Sequence, residues 1–152
     1  MSKIIQLKDQ EGDSLYPKTM VGTGIKVFSK YSQSIPKSST YKIALDSVEY
    51  NTNNNLSLNN NRVVIGDGIN VVLVVARWTA WSANTSSRYI YIARNDENYT
   101  FALAAYTGTM ESSAILPVKS GDTISMNCYS DDGPLALVEM PTATCLQVTV
   151  LG

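Results

Sequence analysis

The sequence predicts an all-β chain: an antiparallel sandwich or jelly roll of about ten strands. Three observations carry this. Short runs with period-two alternation follow one another along the chain, separated by Gly, Asn, Asp and Ser turns. No window sustains the 3.6-residue apolar period of a helix. And 152 residues, 44% hydrophobic and 16% charged, suffice for one buried core and exclude a disordered chain, which would be charge-rich and apolar-poor.

The first run, KIIQLKD, the turn QEGD and the run SLYPKT predict a small hairpin, with Gly12 in the turn and Pro17 confining the second strand to an edge. MVGTG follows, where Gly22 and Gly24 predict a flexible joint and a boundary near Gly24. The expected division is residues 1–24 as an N-terminal segment and 25–152 as the sandwich. Next come the strand IKVFSK, the loop SQSIPKSST and the strand YKIALDSVEY, in which Ile43, Leu45 and Val48 alternate imperfectly. Residues 51–61 hold seven asparagines around Leu56 and Leu58, a pattern that fits two turns about one short strand, because asparagine tolerates left-handed backbone. RVVI, the turn GDG and INVVLVVARW follow, the last reading as a strand buried on both faces. SRYIYIARN places Ile90 and Ile92 on one face and Tyr89 and Tyr91 on the other. After the turn DEN, YTFALAAY sets Tyr99, Phe101 and Leu103 against Ala102, Ala104 and Tyr106. SSAILPV, the turn KSGD with Asp122 capping it, TISMNCYS, the loop DDGP and TATCLQVTVLG complete the series.

A solitary sandwich should show one apolar and one polar face on each strand. Several strands here are apolar or aromatic on both faces, which in a monomer would leave a large exposed patch. Self-association is therefore expected, with Trp78, Tyr89, Tyr91 and Tyr106 assigned to the subunit interface, where aromatic area and a hydrogen-bonding tip are both useful.

Composition excludes several functions. The chain has no histidine, so no histidine base, Ser-His-Asp or Cys-His pair, or imidazole zinc ligand exists. No paired carboxylates suit glycoside hydrolysis, and GTGIK lacks the GK[ST] of a phosphate loop, so no enzyme and no cofactor is expected. Cys128 and Cys145 have neither zinc-knuckle nor CxxC spacing and read as buried free thiols, with a disulfide between them as the alternative. A net charge of −1 disfavours nucleic acid as partner. The charge is uneven: seven lysines and three acids in residues 1–42 give +4, while five cations and ten acids in 43–152 give −5. The longest apolar run, Val71 to Ala76, is far too short for a membrane helix, and MSKIIQLKDQ contains no apolar stretch of a secretory signal. An origin in a cytoplasm is expected.

Candidate ligand-binding residues are Trp81 and Asn84, in or beside the polar loop SANTSS, and Asp131 and Asp132 in the acidic turn. An exposed tryptophan can stack on a sugar ring, against the plainer reading of packing. Two adjacent aspartates supply too few oxygens for calcium, so no metal site is assigned and a solvated turn is the simpler reading.

The landmark order YKIALDSVEYN, RVVIGDGINVVLVVARW, RYIYIARN, ILPVKSGDTISMNCY and TCLQVTVLG resembles the complement globular-head and tumour-necrosis-factor-like jelly roll over residues 25–152. The matching positions are Lys42 and Ile43, Val48 to Tyr50, Ile65, Asp67 and Gly68, Trp78, Leu116, Gly121 and Asp122. Ile69 and Asn70 depart from it, since that family usually has an aromatic after the glycine. The resemblance implies a ten-strand sandwich packed as a homotrimer. The opening KIIQLKDQEGDSLYPKT resembles the first hairpin of phage fibre and baseplate proteins through Ile5, Leu7, Asp9, Gly12, Tyr16, Pro17 and Thr19. That implies a virion-docking segment, with Ile5, Leu7, Tyr16 and Pro17 as contacts. Together the two resemblances imply a trimeric, non-catalytic phage virion protein assembled in the host cytoplasm. It would stand at the tip of a tail fibre, baseplate or head fibre, docked on other virion proteins and binding a host-surface glycan or protein. A capsid decoration protein and a secreted tumour-necrosis-factor-like signalling or adhesion ligand are the alternatives.

Overall fold

The computed structural model describes residues 7–8, 14–15, 23–81, 88–104, 108–131, 135–137 and 143–152. They form β1 (Leu7–Lys8), β2 (Ser14–Leu15), β3 (Gly24–Phe28), β4 (Ser34–Ile35), β5 (Thr40–Lys42), β6 (Ser47–Asn51), β7 (Leu56–Asn59), β8 (Arg62–Ile65), β9 (Val71–Trp81), β10 (Arg88–Arg94), β11 (Glu97–Ala104), β12 (Gly108–Pro117), β13 (Thr123–Ser130), β14 (Leu135–Leu137) and β15 (Cys145–Val150). Every described pairing is antiparallel. The first sheet runs β11-β10-β13-β8-β7, with β5 also on β13. The second runs β4-β14-β9-β15-β3-β6, with β12 on the far side of β9. β1 and β2 pair separately, Leu7 opposite Leu15, where the first hairpin was expected.

The two sheets enclose one core. The first contributes Val63, Ile65, Ile90, Ile92, Ile124 and Met126; the second contributes Ile25, Val27, Val72, Val74, Trp78, Leu116, Leu146 and Val148. Burying each such side chain stabilises the fold by roughly 1.5–3 kcal/mol. Alternation fixes which residues face in. On β10, Ile90 and Ile92 are buried while Tyr89 and Tyr91 are half-buried on the other face, as the sequence predicts.

The structure redraws three segments. YKIALDSVEY is two strands rather than one: β5 belongs to the first sheet and β6 to the second. The crossing chain is held by Gln33, whose amide nitrogen donates to Ala44 O at 2.9 Å and whose amide oxygen accepts from Ala44 N at 2.7 Å. Ile43 N still donates to Met126 O of β13 at 2.9 Å, the Gln33 amide satisfies the next residue, and Ile43 and Leu45 are both buried. The turn after β10 is Asn95-Asp96, not DEN, with φ of +52° and +67°; a two-residue hairpin loop of this hand needs consecutive left-handed residues, which Asn and Asp tolerate. β14 was not anticipated at all, because LAL carries too little pattern to read.

The asparagine run does form two turns around one strand. Asn51 and Asn53 side chains accept from the backbone N–H of Asn53 and Asn55 before β7, and Asn60 and Asn61 have left-handed φ after it. Gly24 is not a flexible joint. It opens β3, its N–H donates to Thr52 Oγ1 at 3.0 Å, and a Cβ there would collide with the carbonyl oxygen of Val148 in the neighbouring strand. Gly24→Ala is therefore expected to cost about 1–3 kcal/mol, read as a lowered urea midpoint with unchanged slope.

Candidate functional site

β9 alternates more strictly than its apolar sequence suggests. Val72, Val74, Ala76 and Trp78 are buried, while Val71, Leu73, Val75, Arg77 and Thr79 lie half-exposed on the outer side of the second sheet. The expectation of burial on both faces is thus met on one face only within a single chain. Trp78, assigned above to a subunit interface, is 0% exposed and part of the core, so no second chain can reach it. The reason is its register opposite Met110, on the inward side of the β9–β12 pair.

The outer face of the second sheet has a distinct layout. Register places Thr149, Leu73 and Ile115 side by side, then Gln147, Val75 and Ser113, then Cys145, Arg77 and Glu111, then Thr79 and Thr109. Ile115 is 63% exposed on β12, which among the described residues pairs only with β9 and so borders the sheet, and it stands beside Leu73 on the outer face. Next to this apolar centre, Arg77 pairs with Glu111 at 2.7 Å and Lys26 with Glu49 at 2.6 Å, and Thr79 bonds Thr109 at 2.8 Å. An apolar centre with a polar border is the anatomy of a protein–protein contact. Exposed pairs of this kind are worth about 0–1 kcal/mol each and serve orientation more than stability.

Tyr89 and Tyr91, which the sequence assigns to a subunit interface, lie on the outer face of the first sheet. Their ring centroids are 6.2 Å apart, and Tyr89 meets Tyr129 edge-on at 5.9 Å. Burial and then the neighbouring Tyr89 raise the pKa of Tyr91. Beside them Asn127 donates to Asn98 Oδ1 at 2.8 Å. Asp131, half-buried, accepts a hydrogen bond from the Tyr129 hydroxyl and thereby raises its pKa. Trp81 ends β9, where its backbone pairs with Ala136, and Leu7 is in β1; of their side chains nothing is described. Ile5, Tyr16, Pro17, Asn84, Tyr106 and Asp132 lie outside the described residues. Cys128 and Cys145 are both free and buried, as expected, and burial pushes both thiols up in pKa, away from thiolate chemistry. Among the described residues no cluster of three or more Cys, Asp and Glu could hold a metal ion.

At one end of the sandwich two turns meet. Asn95 donates from Nδ2 to Asp122 Oδ1 at 2.8 Å, and Asp122 Oδ2 accepts from Lys119 N at 3.1 Å. Asp122 does cap the β12–β13 turn, where Gly121 supplies φ +89°, and it is also 95% buried against the other hairpin, a long-range role its sequence does not betray. Burial alone would raise its pKa, but the Asn95 and Lys119 hydrogen bonds, with Arg94 and Lys119 nearby, hold it below the ordinary value of 3.8. A depressed folded pKa adds stability that is present above that ordinary value and lost as the pH falls through the folded one. Wild-type thermal midpoints should therefore drop below about pH 4, and Asp122→Asn should flatten that acid limb while lowering the midpoint at neutral pH. On the other side of the same turn Asp96 is held by Lys42 and, at 2.5 Å, by Arg62, which lower its pKa as well.

No family profile and no curated protein matches this sequence. Solved structures do match its fold. Murine APRIL at pH 8.0 superposes with a TM-score of 0.69 at 12% identity, over 84% of this chain and 98% of that one. Eiger TNF from S. frugiperda superposes with a TM-score of 0.61 at 12% identity, over 86% and 94%. The fold is therefore a tumour-necrosis-factor-like jelly roll, as the motif order implied.

Proposed function

We propose that this chain is a non-catalytic recognition protein of the tumour-necrosis-factor-like kind, assembling as a homotrimer and binding a partner with the surface left outside. The observation that carries this reading is the apolar centre Leu73, Val75 and Ile115 on the outer face of the second sheet, with Ile115 63% exposed. Around a threefold axis each of three copies would bring this apolar area to its neighbours, with the ion-paired border orienting the contact. The fold shared with APRIL and Eiger TNF supports a ligand-type role over chemistry, and the missing histidine supports it from composition. Sedimentation equilibrium of the intact chain at micromolar concentration tests it. Three copies of 16.6 kDa give about 50 kDa; a single species of 16.6 kDa at that concentration would remove the reading.

A second reading places this trimer in a phage virion, at a fibre or baseplate tip or as a capsid decoration, with residues 1–24 as the docking segment. Its motivation is the sequence pattern of Ile5, Leu7, Asp9, Gly12, Tyr16, Pro17 and Thr19, within whose span β1 and β2 pair. Deleting residues 1–22 should leave the sandwich folded and trimeric but abolish incorporation into particles. Unaltered incorporation would oppose it.

A further inference from the structure

The meeting of the two turns leaves a cleft of about 370 Å³, lined by Arg94, Asn95, Pro117, Val118, Lys119 and Asp122. That is near the lower end of the roughly 300–1,000 Å³ of small-molecule sites. Its floor is fixed from both sides: Asn95 is bonded to Asp122, and the adjacent Asp96 is held by Lys42 and Arg62. Asn95 is further tied to β13, its N–H donating to Thr123 O and its Oδ1 accepting from Thr123 N, each at 2.9 Å. The Asn95–Asp122 floor is thus set before binding, and the freedom lost on binding is mainly that of the Lys119 side chain.

The polar groups at the cleft have unused capacity. Arg94 Nη1 donates to Pro117 O at 2.6 Å, and its guanidinium stands 5.7 Å from the Tyr99 ring centroid, which leaves most of its five N–H donors available. The Lys119 ammonium has no hydrogen-bond or ion-pair partner among the described residues, and the side chain is exposed. Asp122 accepts two hydrogen bonds and retains lone pairs for a donor. Two cations against one carboxylate favour an anion. A bare anion, however, would meet the Asp122 carboxylate, which only a hydrogen-bond donor can satisfy. Pro117 and Val118 add an apolar wall.

We propose that this cleft binds a single acidic sugar residue, its carboxylate taken by Arg94 and Lys119, a ring hydroxyl donating to Asp122, and its C–H face lying on Pro117 and Val118. This deepens the recognition role proposed above by naming a ligand class, and rests on that role. The test is an amide NMR titration of the intact chain with glucuronate and with N-acetylneuraminate, with glucose and inorganic phosphate as comparison probes. Saturable shifts at Asn95, Lys119, Asp122 and Thr123 are expected with at least one of the two acids, about tenfold tighter than with glucose or phosphate. Lys119→Gln, at an exposed position and with its backbone bond to Asp122 kept, should weaken that binding several-fold with only a small change in thermal midpoint, and Arg94→Gln should weaken it further. Equal response to glucose would overturn the role of the cations. Equal response to phosphate would reduce the cleft to a simple-anion site and overturn the sugar. Absence of saturable shifts with both acids would overturn the proposal outright. A chain that binds yet sediments as a monomer would contradict the trimer and leave this site standing; a trimer that ignores both acids would contradict this site alone.

Discussion

Trp78→Ala is expected to lower stability by about 3–5 kcal/mol, a large share of the roughly 5–15 kcal/mol a domain of this size has in total. Trp78 is fully buried among the core residues of both sheets, and its removal opens a cavity that β9, paired along its length with β12 and β15, cannot collapse to fill. Urea denaturation should show a much lower midpoint with little change in slope. Trp78→Phe, which keeps most of the apolar volume and removes an indole nitrogen that has no hydrogen-bond partner among the described residues, should cost far less. The outcome separates a core role from an interface role. A core tryptophan predicts unfolding of each chain; an interface tryptophan predicts folded monomers with an unchanged denaturation midpoint.

Ile115→Asp is expected to act in the opposite way. Ile115 stands on the outside of β12, so within one chain the change should stay within roughly 0.5 kcal/mol, plus a strand-propensity cost of up to about 1 kcal/mol. In the assembly it would bury an unpaired carboxylate against Leu73 and its symmetry copies, with a penalty of several kcal/mol. A hundredfold weaker association corresponds to about 2.7 kcal/mol, so if the proposed trimer forms through this face the variant should sediment as folded monomers at micromolar concentration. An unaltered oligomer would show that the assembly uses another face.

Much of this fold is written in local alternation. Ile90 and Ile92 against Tyr89 and Tyr91, and Leu146 and Val148 against Gln147 and Thr149, could be placed on the correct faces because polar or aromatic partners mark the outward side. β9 could not be read the same way. VVLVV is apolar at every position, so nothing local says that Val72 and Val74 go in while Leu73 and Val75 stay out; the partners Ile115 and Thr149 decide it. Ile43 and Leu45 continued an apparent strand period, and the Gln33 amide that interrupts it lies eleven residues away. The sites were less legible for the same reason. Asp122 was readable as a turn cap, but its bond to Asn95 spans 27 residues and its place in a cleft depends on how two hairpins are set beside each other. Alternation on β10 marks Tyr89 and Tyr91 as outward-facing, yet which of the two sheets carries them is a matter of topology rather than residue type.

The central claim is that this jelly roll associates through the outer face of its second sheet. Hydroxyl-radical footprinting of the native chain at associating concentration tests it most directly, with Tyr99, 52% exposed on the first sheet, as the internal reference. Ile115 should be shielded from oxidation and become reactive on dilution, while Tyr99 is oxidised throughout. Ile115 as reactive as Tyr99 at every concentration, or Tyr99 shielded in its place, would contradict it.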